Sequence, residues 1–351
     1  MSGGVDSSVA AYLMKQRGYD CMGVTMKLFQ SEELGVPKGH SCSSFDDVED
    51  ARSVAHQLGI PYHVSVFSDL FKEIVIDNFV AAYENGCTPN PCIVCNRFLK
   101  FNKLYHHAVE LGYDYVVTGH YARIEFNENT GRYILKKGLD PTKDQSYVLY
   151  SLTQEQLAHT QFPLGGMNKT DARAIAEEQG FVSAHKHDSQ DICFVQDGDY
   201  ARFIETYTGK EFPHGNFIDK EGNVLGEHKG IIHYTIGQRK GLGIALGEPA
   251  FVCNINPENN TVTLGKNSDL FTDTLTAKDI NLISVSSIDR PLHLKAKVRY
   301  RQVEQWATVT QIDEDTITVK FDEPQRAITK GQAVVLYDGD TVVGGGTIVE
   351  V

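Results

Sequence analysis

The chain opens on a glycine turn, Ser-Gly-Gly-Val-Asp-Ser-Ser at residues 2–8, that runs directly into a stretch compatible with a helix. The two glycines allow the backbone to approach a phosphate closely, and a helix N-terminus adds N–H groups and a positive dipole end. Asp6 could hold a magnesium ion, while Ser7 and Ser8 could donate to phosphate oxygens or cap the helix. No Gly-Lys-Ser/Thr ending follows, so this is not a Walker A loop, and a plain helix-capping turn is the alternative.

Strand-like and helix-like segments alternate through the first part of the chain. Residues 23–28, 62–67 and 113–118 are rich in β-forming residues. Residues 46–58 place Val48, Ala51, Val54, Ala55 and Leu58 on one helical face, and residues 96–111 do the same with Phe98, Phe101, Leu104, Tyr105, Ala108 and Leu111. This alternation predicts an α/β fold with a doubly wound, mostly parallel sheet. Ligands bind beyond the carboxyl ends of such strands, so we expect the glycine turn and Gly119 to meet there.

The later part of the chain has a different residue pattern. Residues 121–137 predict a hairpin that turns at Asn129-Thr130-Gly131, and residues 170–180 predict a short amphipathic helix. From residue 277 onward, β-branched and polar residues alternate, which is typical of short strands in a small antiparallel barrel. We therefore predict three domains: a catalytic domain over 1–200, a small mixed domain over 201–274 and an antiparallel β-barrel over 275–351.

Met1 directly precedes the glycine turn. In doubly wound sheets a phosphate loop of this kind follows a buried strand, usually the central one. We expect that first strand to be missing from this sequence, through truncation or a coding start assigned too late. Its loss would remove central backbone hydrogen bonds and apolar burial.

Composition excludes several classes of protein. The 351 residues are 41% hydrophobic and 23% charged, with no bilayer-spanning apolar run and no signal peptide, which predicts a cytoplasmic protein without a membrane partner. Seven cysteines, an odd number, do not indicate a secreted disulfide framework. The net charge of −13 argues against a general nucleic-acid coat protein, but a local basic face could still bind phosphates.

Two cysteines are candidates for chemistry. Cys95, in Asn-Pro-Cys-Ile-Val-Cys-Asn at 90–96, is expected near the start of a helix, where the dipole lowers the pKa of a thiol. Cys193 lies far away, in Ser-Gln-Asp-Ile-Cys-Phe at 189–194. Two thiols that converge on one pocket could pass sulfur by attack on a persulfide and then close a disulfide.

The Cys92-x-x-Cys95 pair also has other interpretations. A zinc site needs about four ligands, and no second C-x-x-C completes one. An iron–sulfur cluster could recruit Cys87 or Cys193, and a local redox pair is a further alternative. Cys193 is equally compatible with a buried apolar thiol beside Phe194. The remaining cysteines, Cys21, Cys42, Cys87 and Cys253, are expected to be structural or incidental.

Seven motifs occur in a characteristic order along the chain. They are the turn at 2–8, Asn-Pro-Cys-x-x-Cys-Asn at 90–96, Thr-Gly-His-Tyr-Ala-Arg at 118–123, Lys-Asp-Gln-Ser-Tyr at 143–147, Asp-Ile-Cys-Phe at 191–194, His-Tyr-Thr-Ile-Gly-Gln-Arg-Lys-Gly-Leu-Gly at 233–243 and Arg-Tyr-Arg-Gln at 299–302. In this order they resemble the bacterial tRNA-specific 2-thiouridylases of the ATP pyrophosphatase (PP-loop) superfamily, over essentially the whole chain.

The resemblance implies an adenine nucleotide α-hydrolase-like fold and a sulfurtransferase that acts on the wobble uridine of tRNAs for Lys, Glu and Gln. ATP, with magnesium bound transiently, would adenylate the C2 oxygen, and a persulfide supplied by a sulfur-relay protein would displace AMP. Cys193 would carry the persulfide. Cys95 would be the partner nucleophile that releases the sulfur through a Cys95–Cys193 disulfide.

The resemblance also implies the other site residues. The ATP site would comprise Met1, Ser2, Gly3, Gly4, Val5, Asp6, Ser7 and Ser8, with Met26 and Gly119 at the adenosine. Asn90, Pro91 and Cys92 would surround the target base, and His120, Lys143, Asp144, Gln145, Arg299, Tyr300 and Gln332 would contact tRNA. Cys92 stands where other members often carry Asp, so an unproductive Cys92–Cys95 disulfide could form.

Alternating cations support an RNA partner. Lys295, Lys297, Arg299 and Arg301 would project from one face of a strand, where they could meet RNA phosphates or form a solvated barrel face.

Two other functions are alternatives to thiolation. A small-molecule ligase would explain the glycine turn but neither the paired thiols nor the basic strand. A non-enzymatic RNA-binding module would require a decayed nucleotide site, against which the intact turn argues.

Overall fold

The computed structural model describes residues 1–29, 45–186, 192–195 and 197–351; Cys42 and residues 189–191 lie outside this part. The helices are α1 Val5–Gln16, α2 Phe45–Leu58, α3 Ser68–Phe71, α4 Asp77–Glu84, α5 Pro91–Val94, α6 Leu104–Glu110, α7 Gln154–Ala158, α8 Lys169–Glu178 and α9 Tyr200–Thr208, with π-helices at Lys72–Ile76 and Cys95–Lys103 and 3-10 helices at Ser146–Leu149, Ile231–His233 and Asn267–Leu270. The strands are β1 Gly23–Lys27, β2 Tyr62–Val66, β3 Val116–Val117, β4 Ala122–Asn127, β5 Arg132–Lys137, β6 Thr160–Gln161, β7 Gly215–Ile218, β8 Val224–His228, β9 Phe251–Asn256, β10 Thr261–Gly265, β11 Phe271–Leu282, β12 Leu292–Lys297, β13 Gln305–Gln311, β14 Ile317–Arg326, β15 Ala333–Asp338 and β16 Thr341–Glu350.

These elements fall into two compact units. Unit 1 comprises Met1–Val75, Cys92–Asp199 and Asp340–Val342, and unit 2 comprises Ile76–Pro91, Tyr200–Gly339 and Val343–Val351. Helix α4 therefore groups with unit 2, where Asp77 accepts a hydrogen bond from the Tyr207 hydroxyl at 2.6 Å. The predicted boundaries at 200 and 274 remain predictions. Among the helices of the described residues, none combines the length and the apolarity needed to cross a membrane.

Unit 1 is built on short parallel strand pairs flanked by helices. β1 pairs in parallel with β2, and β3 pairs in parallel with β6. Helix α2 contacts both β1 and β2, as a crossover helix does. Helices α1, α2 and α8 share a core that includes Val9, Val54 and Ala176. The predicted α/β class is confirmed, and the predicted hairpin is present as β4 and β5, which pair antiparallel across Asn127 and Arg132.

The second predicted helix differs from expectation. The helix begins at Pro91 instead of residue 96, and its middle is the π-helix Cys95–Lys103. A π-helix has more residues in each turn than an α-helix, so the 3.6-residue pattern loses register across it. Phe98 and Leu111, predicted on the buried face, are 40% and 46% exposed, while Leu99 is fully buried. Proline at the first helical position is favourable because its missing N–H would have had no helical partner.

Unit 2 contains a mixed sheet and a closed barrel. The sheet has the order β8-β7-β10-β9, in which only the β7–β10 pair is parallel. The barrel runs β11-β14-β13-β12-β15-β16 and closes through an antiparallel β11–β16 pairing, which leaves no edge strand to aggregate. Its core contains Ala296, Val309, Val319 and Leu336 at alternate strand positions, so the predicted small antiparallel barrel is confirmed.

The predicted basic strand is only half correct. Leu294 and Ala296 are buried, so Lys295 and Lys297 project outward from β12 as predicted. Arg299 and Arg301 are not on the strand, which ends at Lys297. The ladder stops because the side-chain oxygen of Gln302 accepts the next backbone N–H, that of Val298, at 2.9 Å.

Candidate functional site

The glycine turn is held against the first turn of α2. Gly3 has φ +71°, and a Cβ there would lie 2.4 Å from the carbonyl oxygen of Asp47, so only glycine fits. Gly4 is the extended residue before α1, and the hydroxyls of Ser7 and Ser8 donate back to its carbonyl at 3.1 and 2.9 Å. The predicted side-chain cap by Ser7 or Ser8 is therefore wrong. Ser8 is fully buried and stabilises the turn itself.

Asp6 lies in the first turn of α1 and is the anion of a partly buried cluster. Its Oδ1 accepts from the Tyr121 hydroxyl at 2.8 Å, and the Lys169 ammonium contacts both carboxylate oxygens at 2.7 and 2.8 Å. Lys169 is only 9% exposed, and burying a charge requires a partner of this kind. Sequence reasoning missed Lys169, because nothing local to α8 indicates a partner 163 residues away.

The Asp6 carboxylate can also serve a magnesium ion that arrives with a nucleotide. Its oxygens offer about four lone-pair positions, of which Tyr121 and Lys169 use three, so Oδ2 retains one. Within the described residues, no group of three or more His, Cys, Asp or Glu side chains is placed to hold a metal ion. An ion at Asp6 would therefore take its other ligands from phosphate oxygens and water, as magnesium commonly does.

Gly119 brings the end of β3 to the glycine turn. A Cβ on Gly119 would lie 2.6 to 2.8 Å from the backbone carbon, the Cβ and the carbonyl oxygen of Asp6. The predicted meeting of these two segments is confirmed. Met1 lies against β1, the strand that contains Met26: the Met1 amine donates to the Val24 carbonyl, and its own carbonyl accepts from the Thr25 hydroxyl at 2.7 Å.

His120 follows Gly119 and is partly enclosed by aromatic rings. Its ring centroid lies 5.8 Å from those of Phe101 and Phe162, and its Nδ1 is 2.7 Å from the Thr118 hydroxyl. Burial, with the charge of Lys100 as a second cause, holds the pKa of His120 well below its usual range. The imidazole is therefore neutral at pH 7 and can take part in hydrogen bonds without carrying a charge.

Cys95 lies one helical turn further into its helix than predicted. Because the helix begins at Pro91, the first turn contains Cys92, which is exposed, and Cys95 is the buried first residue of the π-helix. The segment 90–96 predicts a thiol at the helix start, and the structure places Cys92 there, with Cys95 further along the helix. The residue that benefits most from the dipole is Cys92.

Cys193 belongs to a turn in which the Val195 N–H donates to the Ile192 carbonyl at 2.9 Å. Cys193 is half-buried, while the next residue, Phe194, is buried and packs edge-on against Phe71 with centroids 5.8 Å apart. Phe71 ends α3, and α3 contacts the π-helix that starts at Cys95. The two cysteines therefore lie on segments of unit 1 that each contact α3.

The predicted RNA-contact residues of unit 1 have internal bonds. Asp144 accepts from the N–H of Gly138 at 3.0 Å, and the Gln145 side chain accepts from the N–H of Tyr121 at 3.0 Å. Both side chains stabilise the backbone beside His120. Lys143 is half-exposed in the same loop.

The predicted RNA-contact residues of unit 2 form two groups. Gln332 donates to the carbonyls of Thr88 and Pro89 at 2.8 and 3.4 Å, directly before Asn90 and Pro91. Arg299 donates to the carbonyls of Arg326 and Ala327, and exposed Tyr300 follows it. A surface depression of about 500 Å³ is lined by Phe271, Arg299, Arg301, Gln302, Pro324, Gln325 and Arg326. Sequence reasoning missed Arg326 because it lies on β14, away from the 299–302 motif.

Three family models match consecutive parts of the chain. The tRNA methyl transferase HUP domain matches residues 1–197, the tRNA methyl transferase PRC-barrel domain matches 201–266, and the aminomethyltransferase beta-barrel domain matches 272–348. The HUP match covers unit 1's parallel strands, and the beta-barrel match covers the closed barrel of β11 to β16.

Curated relatives match along almost the whole chain. The tRNA-specific 2-thiouridylase MnmA of Clostridioides difficile strain 630 is 56% identical over 99% of this chain and 96% of its own length. The protein of the same name from Acetivibrio thermocellus is 51% identical over 99% of this chain and 97% of its own length. A solved NMN synthetase from Francisella tularensis gives a TM-score of only 0.33 at 15% identity, over 60% of this chain and 76% of that chain. At this level of identity and coverage, with the three domain models in order, the chain belongs to the tRNA-specific 2-thiouridylase family.

Proposed function

We propose that the chain catalyses ATP-dependent 2-thiolation of the wobble uridine in cytoplasmic tRNAs for lysine, glutamate and glutamine, with sulfur from a protein persulfide. The observation that carries the proposal is the composition of unit 1. It contains the glycine turn, with Gly119 packed against Asp6, and the two segments that carry Cys95 and Cys193, each of which contacts α3. A nucleotide site and two nucleophilic sulfurs in one compact unit match activation of a base followed by sulfur transfer.

The first step is adenylation. The uridine C2 oxygen attacks the α-phosphorus of ATP, the bond to the β-phosphate oxygen breaks, and pyrophosphate leaves. The N-terminus of α1 and the nearly buried Lys169 ammonium supply positive charge where negative charge develops on phosphate. Magnesium bound with ATP at Asp6 would neutralise further phosphate charge. The product carries AMP on C2 as a leaving group.

The second step transfers sulfur. The terminal sulfur of a Cys193 persulfide attacks C2, and the C2–O bond to AMP breaks. The Cys95 thiolate then attacks the Cys193 sulfur, so that the original persulfide bond breaks and the terminal sulfur stays on C2. The result is 2-thiouridine, AMP and a Cys95–Cys193 disulfide, which a dithiol must reduce before the next cycle.

The tRNA must present the base outside its helical stack. An anticodon-loop nucleotide can be splayed into a pocket at low cost, whereas a base inside a duplex cannot. In unit 1, the neutral imidazole of His120 and the half-exposed Lys143 would contact the RNA. In unit 2, Arg299, Arg301 and Arg326 surround a depression that suits phosphates.

The test is incubation of the purified chain with ATP, a persulfide donor and unmodified tRNA. We expect AMP release that requires tRNA, and mass spectrometry of the wobble nucleoside should show the exchange of oxygen for sulfur. AMP release without tRNA would favour a small-molecule ligase. Binding of tRNA without any ATP consumption would favour a non-enzymatic RNA-binding module. Either result would overturn the proposal.

Lys297 gives a separate prediction about RNA binding. It projects from β12 with its ammonium 5.9 Å from the Tyr337 ring centroid, so Lys297→Ala removes surface charge without opening the core. We expect weaker tRNA binding at low salt. In a plot of the logarithm of the tRNA association constant against the logarithm of the salt concentration, the slope should be about one unit smaller in magnitude. The matched control is Lys220→Ala, which removes one positive charge from unit 2 between β7 and β8, outside the barrel strands. An unchanged slope would place the RNA surface elsewhere.

A further inference from the structure

Residues 181–186, which follow α8 in the chain, are held by contacts with the part of unit 1 that contains α1, α2 and the glycine turn. Phe181 and Ala184 join the core formed by α1 and α2. Ser183 is fully buried, and its hydroxyl lies 3.1 Å from that of Ser8, next to the glycine turn. The Arg173 guanidinium donates to the Ala184 carbonyl at 3.1 Å. The residues that lead to Lys186 are therefore held in place by packing and hydrogen bonds.

Lys186, the last residue of this segment, forms two ion pairs with α2. Its ammonium lies 2.8 Å from Asp47 Oδ1 and 2.5 Å from Asp50 Oδ2, carboxylates whose side chains are 19% and 20% exposed. Burial alone would lower the pKa of Lys186, but the hydrogen bonds to Asp47 and Asp50 outweigh it and raise the pKa. Such partly buried pairs in a network are stronger than isolated surface pairs.

The glycine turn also packs against the backbone of Asp47. A Cβ at Gly3 would lie 2.4 to 2.9 Å from the carbonyl oxygen, Cα and carbonyl carbon of Asp47. One residue of α2 thus touches the phosphate turn through its backbone and Lys186 through its side chain. Lys186 lies seven positions before Cys193 in the sequence.

We propose that Lys186 is a positioning residue, which holds residues 181–186 at the helix that supports the phosphate turn and so fixes the point from which the chain continues to Cys193, so that the persulfide sulfur meets the adenylated base. This inference rests on the sulfur route proposed above. Without the Lys186 ion pairs, adenylation continues, but water competes with the persulfide. Hydrolysis of the adenylated base returns uridine and AMP, so AMP is released without thiolation.

The experiment measures AMP released per 2-thiouridine formed under excess persulfide donor and reductant. We expect a ratio near one for the wild type and about tenfold higher for Lys186→Ala. Lys186→Arg keeps the charge, can reach both carboxylates and should restore the wild-type ratio. Asp50→Asn, which leaves the Lys186–Asp47 pair in place, should raise the ratio less than Lys186→Ala. The matched control is Lys210→Ala, which removes a 2.6 Å ion pair with Glu84 in unit 2.

A general loss of folding would lower both products together and would lower the melting temperature, leaving the ratio unchanged. An unchanged ratio in a Lys186→Ala protein that keeps the wild-type melting temperature, with a thiolating wild type, therefore overturns this inference alone. A wild type that releases AMP with tRNA but never forms 2-thiouridine overturns the proposed function as well. A raised ratio that Lys186→Arg fails to restore would also contradict a role that depends on the ion pairs.

Discussion

Replacing Cys193 by serine should lower thiolation of tRNA about 1000-fold or more, while the affinity for tRNA stays within about twofold of the wild type. Serine cannot carry a persulfide, so the sulfur that attacks C2 is never loaded. The hydroxyl is close in size to the thiol, and neighbouring Phe194 keeps its packing against Phe71. The measurements are mass spectrometry of the wobble nucleoside and a tRNA binding isotherm.

Cys95→Ser should cause a loss of similar size for a different reason. The persulfide on Cys193 still forms and attacks C2, but no thiolate is present to break its sulfur–sulfur bond, so the base stays linked to Cys193 through a disulfide. After loading with the persulfide donor in the absence of tRNA, intact-protein mass spectrometry should find an additional sulfur on Cys95→Ser and none on Cys193→Ser. The matched controls are Cys21→Ser and Cys253→Ser, which change half-buried thiols elsewhere and should retain activity. Retained thiolation by pure Cys193→Ser protein would contradict the proposed sulfur route.

Much of the fold could be predicted because local pattern and general topology agree. The alternation of apolar residues predicts which way Leu294, Lys295 and Ala296 point on β12, and the barrel follows from several such strands. The meeting of Gly119 with Asp6 follows from the rule that ligand loops gather at the carboxyl ends of parallel strands.

The predictions from sequence that failed did so for two physical reasons. The pattern over residues 96–111 misplaced Phe98 because a π-helix changes the number of residues per turn, and sequence periodicity assumes a constant one. Lys169 and Lys186 were missed because their partners lie in α1 and α2, more than 130 residues away in the chain. A lysine near a helix or in a loop is ordinarily solvated, and only tertiary packing reveals that it is paired.

The close packing of Gly119 on Asp6 gives Gly119→Ala a large expected effect on the use of ATP. The added methyl would lie 2.6 Å from the Asp6 backbone carbon and 2.8 Å from its carbonyl oxygen, and backbone atoms cannot move aside as a flexible side chain can. Either the end of β3 or the first turn of α1 must shift, which disturbs the hydrogen bonds of Asp6 to Tyr121 and Lys169. We expect kcat/KM for ATP to fall about 100-fold, which corresponds to about 2.7 kcal/mol of transition-state stabilisation.

Pyrophosphate release at varied ATP concentration measures this effect, and tRNA binding measured in parallel separates it from a general loss of structure. Gly166→Ala is the matched control, because a Cβ at Gly166 meets nothing within 4 Å and Gly166 lies in the same unit. It should retain wild-type kinetics. If Gly119→Ala turns over ATP as well as Gly166→Ala does, the glycine turn and the end of β3 do not form the nucleotide site. Adenylation would then have to be placed elsewhere in the protein, away from Asp6 and Lys169.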